Sequence, residues 1–205
     1  MSKEIPVLIE AIKNAIEGAL IDLNVCLPAT VLSFDKKKQT CSVQPSIKAK
    51  FLDGTVVPLP VITDVPVQFP RVKKGGLKFP LAKDDQGMIV VSQRSLDVWK
   101  AKGGTVDPQE GRKFNLSDAF FIPGAYSPGK PDGSFPGEDL EVVWGSSKIT
   151  MKEGGKVLFS GGSEELFQIL SDLSNACSQI ANSSGPTFNA AAFTAIKARV
   201  DAMKG

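Results

Sequence analysis

Residues 88–104 read MIVVSQRSLDVWKAKGG. The run Gly87 to Val91 is short, apolar and rich in β-branched residues, the mark of a buried strand. Then the character changes: Ser95 to Lys100 has the composition of one helical turn, with Ser95 placed to cap it and Asp97 near its positive end. Leu96 and Trp99, three apart, would face the strands together. The glycines at 103 and 104 end the segment. A strand that runs into a short helix and then into glycine predicts a β domain with a helical accessory.

The same reading extends outward. From Cys26 to about Pro123 the apolar period is that of strands. Leu32 and Phe34 share one face before a turn at Asp35 to Lys38, and Cys41 and Val43 share a face after it, which predicts a hairpin. Lys36, Lys37 and Lys38 cap its tip, where charge is solvated and guards against edge pairing; a phosphate clamp is the functional alternative. Further strands are expected at Ile47 to Phe51, Val56 to Leu59, Val65 to Phe69, Leu77 to Leu81 and Gly87 to Ser92. Several short strands with turn signals between them suit a small OB-type barrel.

Composition excludes several functions. The 205 residues are 42% hydrophobic, enough for a core in one or two domains. The 24 basic and 22 acidic residues are scattered and sum to +2, which gives no argument for nucleic acid as the principal partner. Cys26, Cys41 and Cys177 show no pairing or metal spacing, so a reducing compartment is expected. The chain has no histidine, which removes Ser-His and Cys-His nucleophile pairs and every His-containing metal site. Charges interrupt the N-terminal apolar residues, and no uncharged run is long enough to cross a bilayer, so neither a secretory signal nor a membrane span is expected.

Three enzyme or ligand patterns are weak. Gly124-Ala125-Tyr126-Ser127-Pro128-Gly129-Lys130 has phosphate-loop spacing, but Pro131 stands where a Mg²⁺-binding hydroxyl is required. Asp84, Asp85, Asp97 and Asp118 are hydrolase acids by type only, and Asp84-Asp85 sit in a turn signal. Phe34, Phe51, Phe69 and Phe79 are candidate base-stacking residues of a single-strand-binding OB barrel, but their apolar neighbours point to the core.

The ends are helical. Ile5, Ile9, Ile12, Ile16, Ala19 and Leu23 alternate by four and three, a heptad seam whose isoleucines favour three or four strands over two; a helix lying on its own domain is the alternative. Residues 125–138 read as a Gly/Pro-rich linker. Leu140 to Trp144 is a strand, and Ile149, Met151, Val157 and Phe159 continue one apolar face across the Glu153-Gly154-Gly155 turn. From Ser163, taken as an N-cap, Leu166, Ile169, Leu173, Ala176 and Ile180 make a second heptad stripe. After a break at 182–186, Ala192, Ile196, Val200 and Met203 line another helix, which predicts an antiparallel hairpin.

The series VPVQFPR, then GGLKFPLAKDDQGMIVVSQRSLDVWKAKGG, then DPQEGRKFNLSDAFFIPG resembles the N-terminal OB domain of the central membrane-puncturing spikes of contractile phage tails, over about residues 25–124. That resemblance implies a homotrimeric, non-enzymatic baseplate spike that docks on a tail hub protein, carries force to the host envelope and is housed in the virion after folding in the host cytoplasm. A separate tip protein is a further implied partner; no cofactor and no specific nucleic acid are expected. It gives Arg94, Asp97, Trp99 and Asp118 structural roles, with Arg94 and Asp97 paired with each other or satisfying loop carbonyls and Trp99 closing the barrel. The absence of histidine departs from the better-known members, whose apex histidines bind iron.

The expected architecture is therefore mainly β with α termini. It comprises an amphipathic helix over 1–24, an OB-type domain over 25–124, a linker over 125–138, a short β stem over 139–162 and a helical hairpin over 163–205. The trimer core is expected to use Ile149, Met151, Val157, Phe159, Leu166, Ile169, Leu173 and Ile180.

Overall fold

The computed structural model describes residues 4–21, 23–51, 53–131, 137–161, 164–178, 181–182, 185–186 and 190–203. The chain is mainly β with helices near both ends, and divides into two compact units, Met1–Asp132 and Gly133–Gly205. The first holds α1 (Glu4–Ile21), β1 (Cys26–Asp35), β2 (Thr40–Pro45), β3 (Ala49–Lys50), β4 (Val56–Val57), β5 (Ile62–Pro66), β6 (Arg71–Val72), β7 (Gly75–Gly76), β8 (Gln86–Val91), α2 (Asp97–Lys102) and β9 (Ala119–Pro123). The second holds β10 (Leu140–Trp144), β11 (Ser147–Met151), β12 (Val157–Gly161), β13 (Glu164–Glu165), α3 (Leu166–Ser178), β14 (Ala181–Asn182), β15 (Gly185–Pro186) and α4 (Ala190–Met203).

In the first unit five antiparallel strands pair in the order β5-β2-β1-β8-β9. The sheet curls until its two outer strands meet: Val67, just past β5, bridges Phe121 in parallel, and the Gln68 N–H donates to the Phe121 carbonyl at 2.8 Å. The result is a curled, OB-like half-barrel. Period-two alternation fills it. Ala29, Val31, Cys41, Val43, Ile62, Val65, Ile89, Val91, Ala119 and Phe121 point inward and are buried, joined by Phe69 and Leu81 from the loops. At Gly87 the lack of a side chain is a packing requirement, because a Cβ there would lie 2.4 Å from the Ile122 carbonyl oxygen and 2.5 Å from the Phe121 ring.

Several sequence expectations are corrected. Leu32 and Phe34 do not share a face: the β1–β2 register slips between Val31 and Ser33, so Leu32 is the extra residue of a bulge and turns outward while Phe34 packs on the core. The expected strand Leu77 to Leu81 is absent. Pro80 interrupts it, Phe79 is drawn edge-on against Phe69 at 5.2 Å, and only the small β6–β7 hairpin forms nearby. Ile47 to Phe51 and Val56 to Leu59 shrink to the two-residue strands β3 and β4. Ser95 does not cap α2; the N-cap is Leu96, with no side-chain cap bond.

On α1 every described side chain from Leu8 to Ile21 is exposed, including the seam residues Ile9, Ile12 and Ile16.

In the second unit β10, β11, β12 and β13 form one antiparallel sheet. Residues directly opposite one another share a face. The register therefore puts Leu140, Met151 and Val157 in one row, and Val142, Ile149 and Phe159 in the next, beside Trp144. The other face is mixed, with Val143 and Leu158 among Glu141, Lys148, Thr150 and Ser160; on it Thr150 Oγ1 and Lys148 Nζ both donate to Glu141 Oε1, at 3.1 and 3.0 Å. That lysine hydrogen bond holds the Glu141 carboxyl below its usual range. Glu165 caps α3 by accepting the Phe167 and Gln168 N–H groups at 3.0 and 2.8 Å; the cap expected at Ser163 falls outside the described residues.

Helices α3 and α4 pack antiparallel, with two buried serines of α3 hydrogen-bonded to α4. Ser171 Oγ donates to Asp201 Oδ1 at 2.6 Å, and Ser174 Oγ donates to the Phe193 carbonyl at 2.7 Å. Among the described side chains of α4, Phe193, Lys197 and Asp201, each four apart, are half-buried, with Lys197 Nζ 2.6 Å from Asp201 Oδ2.

Candidate functional site

In the first unit the polar residues converge on an arginine that spacing alone does not single out. Arg112 lies in the segment between α2 and β9, where no apolar period marks it. Its Nε donates to Asp118 Oδ2 at 2.7 Å and its Nη2 to Asp118 Oδ1 at 3.0 Å; Nη2 also reaches Asp97 Oδ2 at 2.8 Å and Ser95 Oγ at 3.1 Å. Nη1 donates to Glu110 Oε2 at 2.9 Å. Asp118 is 1% exposed, and its Oδ1 accepts the Leu96 N–H at 2.9 Å as well. Burial works to raise the Asp118 carboxyl, but hydrogen bonds from Arg112 and Leu96 outweigh it and hold the group below the usual carboxylate range. Arg112 is held firmly protonated, first by Asp118 and then by Asp97.

One guanidinium thus ties the start of α2 to the start of β9, which fixes a long connection against the barrel. Arg94 is not part of it. That residue is exposed, and among the described residues its guanidinium makes no ion pair; Asp97 pairs with Arg112 instead. Trp99 does not close the barrel. It lies outside, packed edge-on against Phe120 at 5.4 Å, and borders an open groove of about 940 Å³ with Lys38, Arg71, Lys100 and Asp64. Asp118 is the only one of the four sequence-marked residues that is fully buried.

The second unit carries the other candidate surface. The sheet face made of Leu140, Val142, Trp144, Met151 and Phe159 is largely exposed, Trp144 to 63%, although Phe159 meets Phe167 of α3 edge-on at 6.0 Å. Ile149 and Val157 on the same face are half-buried. The stripe Leu166, Ile169 and Leu173 on α3 is also exposed, Leu173 to 58%, whereas Ser171 on the α4-facing side is 1% exposed. The hairpin thus turns its serines inward and its leucines outward. Ile180 lies outside the described residues.

The remaining sequence candidates are placed as follows. Phe69 is buried in the core, with Phe34 and Phe79 set edge-on against it at 6.5 and 5.2 Å; Phe51 is exposed on the β3–β4 hairpin. Asp84 and Asp85 sit in a turn where Asp85 Oδ2 accepts the Ala82 N–H at 2.7 Å. In the Gly124 to Lys130 stretch a turn forms, with the Lys130 N–H donating to the Ser127 carbonyl at 2.8 Å. Among the described residues no group of three or more acidic or cysteine side chains is arranged to hold a metal, and no helix is long and apolar enough to cross a membrane.

No curated protein matches the chain. Residues 27–124, just under half of the 205 and the whole of the half-barrel, match the family model described as "Phage protein Gp138 N-terminal domain". Over that part the chain is similar to a phage protein family, which supports a virion-associated structural protein with a baseplate-related role.

Proposed function

We infer that the chain is the central spike of a contractile phage tail, a homotrimer that docks on a tail hub protein and transmits axial force to the host envelope without catalysing a reaction. The observation that carries this reading is the second unit: in a single copy much of the apolar sheet face and of the apolar α3 stripe is exposed, while two buried serine hydroxyls of α3 are spent on hydrogen bonds to α4. Burying one large apolar side chain contributes about 1.5–3 kcal/mol. A threefold arrangement hides several of them per chain at once, and gives the β10 edge a neighbour. The exposed isoleucine seam of α1 fits the same symmetry, because isoleucine at both seam positions favours more than two strands.

In this reading the half-barrel is the docking collar and the second unit the stem, with stiffness supplied by faces sealed among three chains. The helical hairpin would serve as the tip, as the socket for a separate tip protein or as a contact inside the tail tube. Sedimentation or light scattering of the purified chain tests it: the expected mass is three copies, and a stable folded single copy at micromolar concentration sinks it.

A second reading has one observation in its favour. The groove beside Trp99 gathers Lys38, Arg71, Lys100 and Lys102, as a single-stranded nucleic-acid-binding OB protein would require. A single aromatic platform is few for a run of stacked bases. Salt-sensitive retention of an oligonucleotide would favour this function; no retention above background is expected of a spike.

A further inference from the structure

The charges that look scattered in the sequence are gathered by the fold. The β1–β2 turn carries Lys36, Lys37 and Lys38; the β6–β7 hairpin and its exit carry Arg71, Lys73, Lys74 and Lys78. They lie at one end of the half-barrel. Arg71 Nη1 donates to Gln39 Oε1 at 2.6 Å, joining the two hairpins, Lys36 and Lys78 line one shallow cavity, and Arg71, Lys73, Lys74 and Lys78 line another. Segments 35–40 and 70–79 together hold these seven cations and one carboxylate, Asp35, on a chain whose net charge is only +2. The rest of the molecule is therefore net acidic.

Little at this end neutralises the charge. Asp35 spends its Oδ1 on the Lys37 and Lys38 N–H groups of its own turn, at 2.8 and 3.0 Å, and Asp64 approaches only Lys38, at 3.8 Å. Lys36, Lys37, Lys73, Lys74 and Lys78 are exposed and make no side-chain hydrogen bond or ion pair among the described residues. Between them stand two exposed apolar side chains, Val72 at 78% and Leu77 at 57%.

We propose that this end is a docking surface for a carboxylate-rich face of another protein, with Val72 and Leu77 as its apolar centre and the cations as its rim. An apolar centre ringed by charge is how protein–protein contacts are built. Six of the seven cations are lysines, hydrated point charges suited to steering and rim contacts rather than to bidentate recognition. Single-stranded nucleic acid is disfavoured here because Phe34, Phe69 and Phe79 are locked edge-on to one another and offer no stacking face. A lipid surface is disfavoured because this hairpin lacks the tryptophan or tyrosine of an interfacial anchor.

The proposal rests on the chain being part of a phage particle, and the experiment separates the two. A photo-reactive side chain is placed at Lys74 in the full chain, and purified particles are irradiated. The expected product is a cross-link to an Asp/Glu-rich segment of a different polypeptide. The triple variant Lys73→Glu/Lys74→Glu/Lys78→Glu should lower incorporation about tenfold or more. Reversing the charge of the cross-linked segment should restore it, while the variant alone keeps the wild-type mass and thermal transition. Cross-links to nucleic acid or lipid, cross-links confined to other copies of this chain, no cross-link at all, or undiminished incorporation of the triple variant overturn the docking surface and leave the spike reading standing. Particles that lack the chain sink both.

Discussion

Asp118 and Arg112, six residues apart, face each other through two side-by-side hydrogen bonds, Nε to Oδ2 at 2.7 Å and Nη2 to Oδ1 at 3.0 Å. The carboxylate end of this pair is 1% exposed and the guanidinium end reaches solvent, so the pair acts as a plug at the mouth of the connection between α2 and β9. Such a pair is strong because its geometry is bidentate and because removing one member strands the other.

Arg112→Ala should therefore destabilise the first unit by about 3–5 kcal/mol, since it leaves a buried carboxylate with only the Leu96 N–H. Chemical denaturation reads this directly. Arg94→Ala, at an exposed arginine three residues past the end of β8, should change stability by less than about 0.5 kcal/mol. Equal losses in the two variants would contradict the assignment of Arg112 as the partner of Asp118.

The same pair sets an acid limit. The folded Asp118 carboxyl lies below its unfolded value of about 3.9, so its contribution is fully present above that value and is lost as pH falls through the folded value. Thermal melts of the wild type should weaken below about pH 4, and Asp118→Asn should be less stable at neutral pH yet flatter across that window. An identical acid profile in the variant would remove Asp118 from the explanation.

Gly87 tests the close approach of strands β8 and β9. A methyl group there meets a backbone carbonyl and the Phe121 ring, neither of which can give way cheaply, so Gly87→Ala should cost about 1–3 kcal/mol. Gly111→Ala, where a Cβ meets nothing within 4 Å, is the control and should be near neutral.

The hairpin β1–β2 was readable from alternation and β8 from its short β-branched run, because each strand has a dry face, as the buried Ile89 and Val91 show. The bulge at Leu32 was not, since one extra residue reverses the faces beyond it and leaves no mark in a hydrophobic pattern. Nor was Arg112: its partners come from three separate stretches, Ser95–Asp97, Glu110 and Asp118, and only the fold brings them within reach. The apolar stripes of the second unit were legible as stripes. Which way they turn was not, because the serines that pair α3 with α4 are as frequent on one side of a stripe as a solvated face would make them.

Cysteine chemistry separates core from surface. Burial alone pushes the Cys41 thiol up to about 12, while Cys26 is exposed on β1. Since the thiolate is the nucleophile, Cys26 should label rapidly at pH 8 and Cys41 only after unfolding. Rapid loss of both thiols in the native protein would place Cys41 outside the core described for it.

The outward stripe of α3 yields the sharpest separation of folding from assembly. Leu173 is 58% exposed in the single chain, away from the buried Ser171 and Ser174 that bind α4, so Leu173→Glu costs a monomer little. In a trimer core it would place three carboxylates against one another in a low-dielectric seam, where like charges repel strongly. Ser171→Ala does the reverse: it removes the 2.6 Å bond to Asp201 inside the hairpin, loosening it by about 0.5–1.5 kcal/mol without touching the outward stripe. The expected outcome is a folded, lower-mass Leu173→Glu species and a threefold but less heat-stable Ser171→Ala species. If sedimentation finds the Leu173→Glu chain at wild-type mass, the stripe is not where copies meet.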